Sequence, residues 1–289
     1  MEDVKLILDC KNILGEGILW NEKEACLYWT DIEGSLFYRY EPGTEDLQTF
    51  VMPERLCSFA FRESGGFLMA FASGLALYDL QSGIVKKLNP IKETVAGTRL
   101  NDGRCDRNGR FIVGDFDPEE KGRGNAYSIN TDGSYKKLFG DLNSANSTCF
   151  SPDGSIMYYS CAEQGEIWFY DYDQKNSDIS NKQLFHCFKD QPGLPDGSII
   201  DSQGYLWNAQ WAGSRVVRFA PDGTVDRVVE LPVPNVTCLC FGGKELETLY
   251  ITTARFTLSD EDLHKYPSAG GLFAVKMDVK GLKESRFKG

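Results

Sequence analysis

Six times along this chain a polar residue leads into a short apolar run, a turn rich in Gly, Asn or Asp, and a second apolar run. Glu16 leads through GILW and the turn NEKEA to LYWTD, Ser58 through FAF and RESGG to FLMAF, and Asn101 through DGRC and DRNGR to FIVGD. Asn146 leads through STCF and SPDGS to IMYYS, Asp196 through GSII and DSQGY to LWNAQ, and Thr237 through CLCF and GGKELE to TLYIT. The six anchors lie 42, 43, 45, 50 and 41 residues apart. Further strand-like runs follow them, such as LFYRYEPGT, NAYSINTDGS, IWFYDYD and VVRFAPDG. Short strands punctuated by turn residues at a period in the forties predict the blades of a propeller. Helical solenoids share the period but need amphipathic helices, and the sequence shows no helical stretch. Six units use nearly all of the 289 residues, so the predicted fold class is all-β, one six-bladed β-propeller domain over residues 1–289. VKLIL near the N-terminus is expected to complete the last blade beside GLFAVKM. The DxxG-type turns are expected on the solvent side and carry no functional meaning by themselves.

Composition narrows the function. Hydrophobic residues at 42% and aromatics at 12% are ample for a buried core, and 42 acids against 31 bases leave a net charge of −11. So acidic a surface argues against nucleic acid, whose phosphates require a basic stripe. No run approaches the ~18 apolar residues of a membrane span. MEDVKLILDCKN has acids where a secretory signal has bases, and its apolar stretch is short. The nine cysteines are odd in number, scattered and without a CxxC pair. Cys238 and Cys240 would share one strand face, but no histidine neighbours them. Free thiols in a reducing cytosol are the reading, so a cytoplasmic protein is expected, with no nucleic-acid or membrane partner and as a monomer. A Ser-His-Asp or Cys-His nucleophile system would have to use His186 or His264, the two histidines present. His186 in the apolar run QLFHCF reads as a packed ring, and His264 in SDEDLHKYP as a solvated ring on a polar loop.

In a propeller the first strand of each blade lines the central channel, so Glu16, Ser58, Asn101, Asn146, Asp196 and Thr237 would face the axis. Two carboxylates and two amides converging there would repel and lose hydration unless a positive charge sits among them. Oxygen-only ligands suit a hard divalent cation. A water-filled polar channel without metal is the other reading of the same residues.

The motifs LGEG, RLNDGRCDRNGR, PDGSIIDSQGYLW, CFGG and LSDEDLHKYPSAGGLFAV, in that order over essentially the whole length, resemble the gluconolactonase–regucalcin (senescence marker protein) family, which includes the luciferin-regenerating enzyme. The resemblance implies a six-bladed propeller with a single divalent metal (Ca²⁺, Zn²⁺, Mn²⁺, Mg²⁺ or Fe²⁺) on the axis. The family's ligands fall on Glu16, Asn146 and Asp196, and its substrate-binding residues on Arg99 and Asn101, with Glu119 matched less closely. It implies hydrolysis of a cyclic sugar-acid ester, a small-molecule lactone, with the metal polarising the carbonyl. Asp196 is the candidate general base. Arg99 and Asn101 would hydrogen-bond the substrate's oxygens, Arg99 being otherwise a channel-wall ion pair and Glu119 otherwise a solvated acid. Asp102 should point away from Asn101 by strand alternation and hold the turn or the neighbouring strand.

Three departures from the family's pattern bear on activity. Asn146-Ser147 stands for Asn-Gly, Cys161 takes an acidic position, and Gly114-Asp115-Phe116 replaces Gly-Thr-Met. Asp115 is expected to be solvated. A different metal-assisted hydrolase, acting on another ester or a phosphoester, would have a bulkier mouth to which Phe116, Phe59 and Trp211 could contribute. A non-enzymatic cation-binding protein is the third reading.

Overall fold

The computed structural model describes residues 3–88, 91 and 96–289. Its strands, numbered in chain order, begin with β1 (Lys5–Leu8), followed by β2 (Gly15–Asn21), β3 (Cys26–Asp31), β4 (Leu36–Glu41) and β5 (Asp46–Val51). Then come β6 (Leu56–Phe61), β7 (Phe67–Phe71), β8 (Gly74–Asp79), β9 (Gly83–Lys87), β10 (Arg99–Cys105), β11 (Phe111–Phe116), β12 (Gly124–Ile129) and β13 (Tyr135–Leu142). Next are β14 (Ala145–Phe150), β15 (Ile156–Cys161), β16 (Glu166–Asp173) and β17 (Asp178–Cys187). The last are β18 (Leu194–Ile200), β19 (Leu206–Trp211), β20 (Arg215–Phe219), β21 (Val225–Glu230), β22 (Val236–Gly242), β23 (Thr248–Thr253) and β24 (Leu272–Lys276).

These strands form six four-stranded antiparallel sheets, five of them sequential meanders from β2–β5 to β18–β21. The sixth has the order β1-β24-β23-β22, so VKLIL does complete the last blade, with Lys5 opposite Ala274 and Leu6 opposite Phe273. The predicted six-bladed β-propeller is therefore the fold class of the chain.

The chain divides into two compact units, Met1–Arg55 with Phe188–Lys283, and Leu56–Cys187 with Glu284–Gly289. In the first unit β22 packs against β2 on one side and β18 on the other; in the second, β10 packs against β6 and β14 in the same way. The first strands of neighbouring blades are thus neighbours in space within each unit.

Apolar side chains from facing sheets fill the space between blades. Trp207, Val216, Leu239, Ile251 and Phe273 belong to one cluster, and Trp29, Tyr38, Cys238 and Leu272 to another. Ile112, Phe150, Met157 and Tyr172 form a third, in the second unit. Each large side chain removed from water contributes ~1.5–3 kcal/mol. Phe59 belongs to this core, 1% exposed and packed edge-on against Phe61 and Phe67, so it forms no part of a site mouth.

Three local expectations are corrected. SDEDLHKYP holds a short helix, α1 (Asp260–Lys265), closed by a capping box in which Ser259 and Asp262 exchange hydrogen bonds; the Ser-x-x-Asp spacing is its sequence signal. His264 lies on it, exposed, while His186 on β17 is half-buried and not a core ring. The turn carboxylates of Asp106 and Asp201 are fully buried, not on the solvent side. Each caps backbone N–H groups of its own turn and takes a tyrosine or tryptophan donor, Tyr172 Oη at 2.8 Å and Trp207 Nε1 at 2.9 Å.

Candidate metal and lactone site

Every blade's first strand carries an irregularity at or beside its anchor. Register slips between Glu16 and Leu19, Leu56 and Ser58, Leu100 and Gly103, Asn146 and Cys149, Pro195 and Ser198, and Val236 and Cys238. A bulge inserts an unpaired residue, bends the strand and re-aims the side chain there. The glycines of the anchor motifs serve this geometry. Gly17 has φ +61°, and a Cβ on Gly197 would come within 2.8 Å of Cys238 Sγ and 2.9 Å of Thr237 O. Ser147, the departure from Asn-Gly, keeps the left-handed backbone with φ 59°. Its hydroxyl meets Ser160 Oγ at 2.9 Å in the interior, and the serine thereby occupies the conformation that glycine takes without strain.

In the second unit the structure brings Arg99, Asn101 and Asn146 together. Arg99 Nη1 donates to Asn101 Oδ1 at 2.6 Å and to Leu100 O at 3.0 Å. Asn101 Nδ2 donates to Ala145 O at 2.8 Å and to Asn146 Oδ1 at 3.2 Å. Both N–H groups of Asn101 are therefore committed to β14, leaving its carbonyl oxygen, already engaged by Arg99, as the group with a spare lone pair. Asn146 Nδ2 donates to Ser144 Oγ at 3.3 Å, which orients its own carbonyl oxygen toward Asn101. Ser58 Oγ donates to Asn101 O at 2.6 Å, tying β6 to β10.

Arg99 is 7% exposed, and its guanidinium lies over the Phe116 ring at 4.5 Å. Among the described residues it forms no ion pair. Its Nε and Nη2 have no protein acceptor among those residues either. Glu119 lies exposed in the loop after β11 and pairs with Lys121 Nζ at 2.6 Å and Arg123 Nη2 at 3.3 Å. Its Oε1 stands 3.9 Å from the Cβ position of Gly97, two residues before Arg99.

In the first unit Glu16 and Asp196 sit on β2 and β18, the two strands that flank β22. Glu16 is half-buried and its Oε2 accepts from Gly17 N at 3.1 Å; Asp196 is 6% exposed. Thr237 Oγ1 donates to Gly15 O at 2.5 Å, so β22 holds the backbone immediately before Glu16. Asn208 Nδ2 lies 3.1 Å from Asp196 O and 3.3 Å from Gly197 O.

No group of three or more His, Cys, Asp or Glu side chains with metal-holding spacing exists among the described residues. The donor set expected here is of another kind, two carboxylates and an amide oxygen, and it suits a hard divalent cation. Asn146 fits that set, because its hydrogen bonds fix the amide with the carbonyl oxygen, not the nitrogen, inside the Arg99–Asn101 cluster.

Asp102 holds the neighbouring strand, as expected: its Oδ2 accepts from Thr148 N at 2.9 Å, pinning β14 within the bulge that follows Asn146, and burial pushes its carboxyl above the usual range. Asp115, expected to be solvated, is fully buried. Its Oδ2 accepts from Asn125 N at 3.0 Å and Tyr127 Oη at 3.2 Å, while Oδ1 has no partner. Burial raises its pKa to about 6. Cys161 is buried and its Sγ lies 3.4 Å from Glu163 Oε2. All nine cysteines are free thiols. No helix among the described residues is long and apolar enough to cross a membrane. The amide of Asn208, inside β19, carried no sequence signal beyond being a polar residue in an apolar strand.

The chain is 39% identical to L-arabinolactonase of Azospirillum brasilense over 98% of its own length and 95% of that protein's. It is 34% identical to 6-deoxy-6-sulfogluconolactonase of Pseudomonas putida, covering 100% of this chain and 99% of the other. A solved calcium-binding protein, regucalcin from Agrobacterium tumefaciens, superposes with a TM-score of 0.95 at 26% identity over 100% of this chain and 98% of its own. Residues 14–255 match the SMP-30/Gluconolactonase/LRE-like region, and the chain belongs to that family.

Proposed function

We propose that this protein is a divalent-metal-dependent lactonase that opens the ester ring of a sugar-acid lactone. The observation that carries the reading is Arg99, a buried cation held on one edge by Asn101 and Leu100 and without an anionic partner among the described residues. Burying such a charge is costly unless an oxygen-rich ligand completes its hydrogen bonds. The lactonases among the similar proteins support the substrate class.

Glu16 and Asp196, with the amide oxygen of Asn146, would hold one divalent cation. When bound, that ion supplies Lewis-acid polarisation of the ester carbonyl and stabilises the oxyanion. Arg99 orients the substrate by donating from Nε and Nη2 to its oxygens, in the planar geometry that gives direction as well as charge. Asn101 holds Arg99 and Asn146 in register and offers its remaining carbonyl lone pair to a sugar hydroxyl. Glu119 accepts a hydroxyl from its loop beside Gly97. Asp196 accepts the proton of the attacking water as the new C–O bond forms. The ring C–O bond then breaks, and its oxygen leaves as a hydroxyl, taking up the proton that Asp196 accepted.

The test is acid release from a panel of pentono- and hexono-lactones by metal-stripped protein, repeated after single divalent ions are added back. Turnover that appears only with an ion is the expected result. Tight ion binding without hydrolysis of any lactone would replace the reading with that of a cation-binding protein.

A further inference from the structure

Asn208 lies in the middle of β19, between Trp207 and Ala209, and is fully buried. Asparagine is depleted from strand interiors, and a buried amide there needs partners for both its ends. Its partners lie across the bulge of β18. Pro195 pairs with Gln210 and Ser198 with Asn208, so Asp196 and Gly197 together face the single residue Ala209. The carbonyls of the two bulged residues fall outside the regular ladder, and Asn208 Nδ2 reaches both, with Ser198 Oγ at 2.9 Å as a third neighbour. Gln210 Nε2 in turn donates to Asn208 Oδ1 at 2.5 Å, which sets the direction of the asparagine amide. Gln210 is itself fully buried, and its Oε1 has no partner.

The arrangement is particular to this blade. The residue paired just beyond the slip is Tyr28 in the first blade, then Ala70, Val113 and Tyr158, and Thr252 in the last. None of these is an amide. The amide of Asn208 stands opposite the bulge that contains Asp196.

We propose that Asn208, oriented by Gln210, is a positioning residue that clamps the Asp196–Gly197 bulge and so fixes the direction of the Asp196 carboxylate. This rests on Asp196 being the cation ligand and base assigned above. Two shape-conserving substitutions test it, Asn208→Leu and Gln210→Met, with Asp196→Asn measured alongside. The readouts are the affinity for Ca²⁺ and for Mn²⁺ alone by calorimetry, kcat and KM on whichever lactone is turned over, and the unfolding midpoint of metal-free protein.

Removing an outer partner of a metal ligand lowers affinity ~10–100-fold, and that loss is expected in Asn208→Leu, together with a fall in kcat larger than the change in KM. Gln210→Met deletes an unpartnered buried oxygen along with the orienting N–H. Its midpoint should hold or rise while ion affinity falls several-fold, a combination that a purely structural role does not produce. Ion affinity and kcat within twofold of the native protein in both variants, with Asp196→Asn impaired, would overturn the positioning role. Undiminished ion affinity in Asp196→Asn, or no binding of either ion by the native protein, would instead overturn the assignment of Asp196 on which it rests.

Discussion

From the end of β11, the Phe116 ring covers one face of the Arg99 guanidinium, and the two N–H-bearing nitrogens turned away from Asn101 have no acceptor among the described residues. Such a group is kept at a cost to stability. Arg99→Met should therefore lower kcat/KM by about tenfold to a hundredfold, the loss of roughly 1.5–3 kcal/mol for a charged hydrogen bond, while leaving the melting temperature unchanged or higher. Steady-state kinetics and calorimetry on the same variant check both halves. Asp115 makes a second prediction. Its native pKa of about 6 lies above the ordinary value of 3.8, so between those values the native state holds a proton that the unfolded chain has lost. Stability from this group is therefore lost as pH rises from about 4 to 6, and the penalty is complete above that range. A shift of this size corresponds to no more than about 3 kcal/mol. Asp115→Asn, which still accepts from Asn125 and Tyr127, should flatten the urea-midpoint profile across that window and stabilise the protein at pH 8.

Within each element, the bulge of a first strand bends it and re-aims the anchor side chain. The same irregularity appears in all six first strands, yet different side chains sit at it: carboxylates at Glu16 and Asp196, amides at Asn101 and Asn146, hydroxyls at Ser58 and Thr237. The hydroxyls and the Asn101 amide donate to backbone carbonyls of the next blade, at Asn101 O, Gly15 O and Ala145 O. Asp102 adds a bond of the opposite sense by accepting from Thr148 N. Asp102→Ala should destabilise by about 1–3 kcal/mol, because it strands a buried N–H in the bulge after Asn146. Asp102→Asn keeps the acceptor and sheds a desolvated charge, so it should be tolerated. Chemical denaturation of the pair separates hydrogen bond from charge.

For the molecule as a whole, the last sheet is closed by β1, which brings the beginning of the chain onto β24 near its end. Removing residues 1–8 would leave β24 with an unpaired edge. The expected outcome is a melting temperature lower by about 5–10 °C, with concentration-dependent self-association of the exposed edge visible in light scattering. The first unit, which holds that sheet, also carries Glu16 and Asp196, so ion affinity should weaken with the truncation. The second unit's own cluster of Arg99, Asn101 and Asn146 is bonded within itself, and its contacts do not involve β1.

Local pattern encodes the number of blades, their order, the six anchors, and the pairing of VKLIL with the last sheet. Alternation and turn chemistry act within a few residues, and the repeat makes each unit confirm the others. How those anchors are aimed follows from contacts between strands far apart in the chain. A bulge is a property of two strands in register, so nothing in LPDGS says that Asn208 will hold its carbonyls. The burial of Asp115 is set by Asn125 and Tyr127 on the next strand, the commitment of both Asn101 N–H groups by β14, and the ion pairs of Glu119 by a loop. Those partners are brought into range by sheet pairing and loop closure, and a side chain's charge state and hydrogen bonds follow from its neighbours in space.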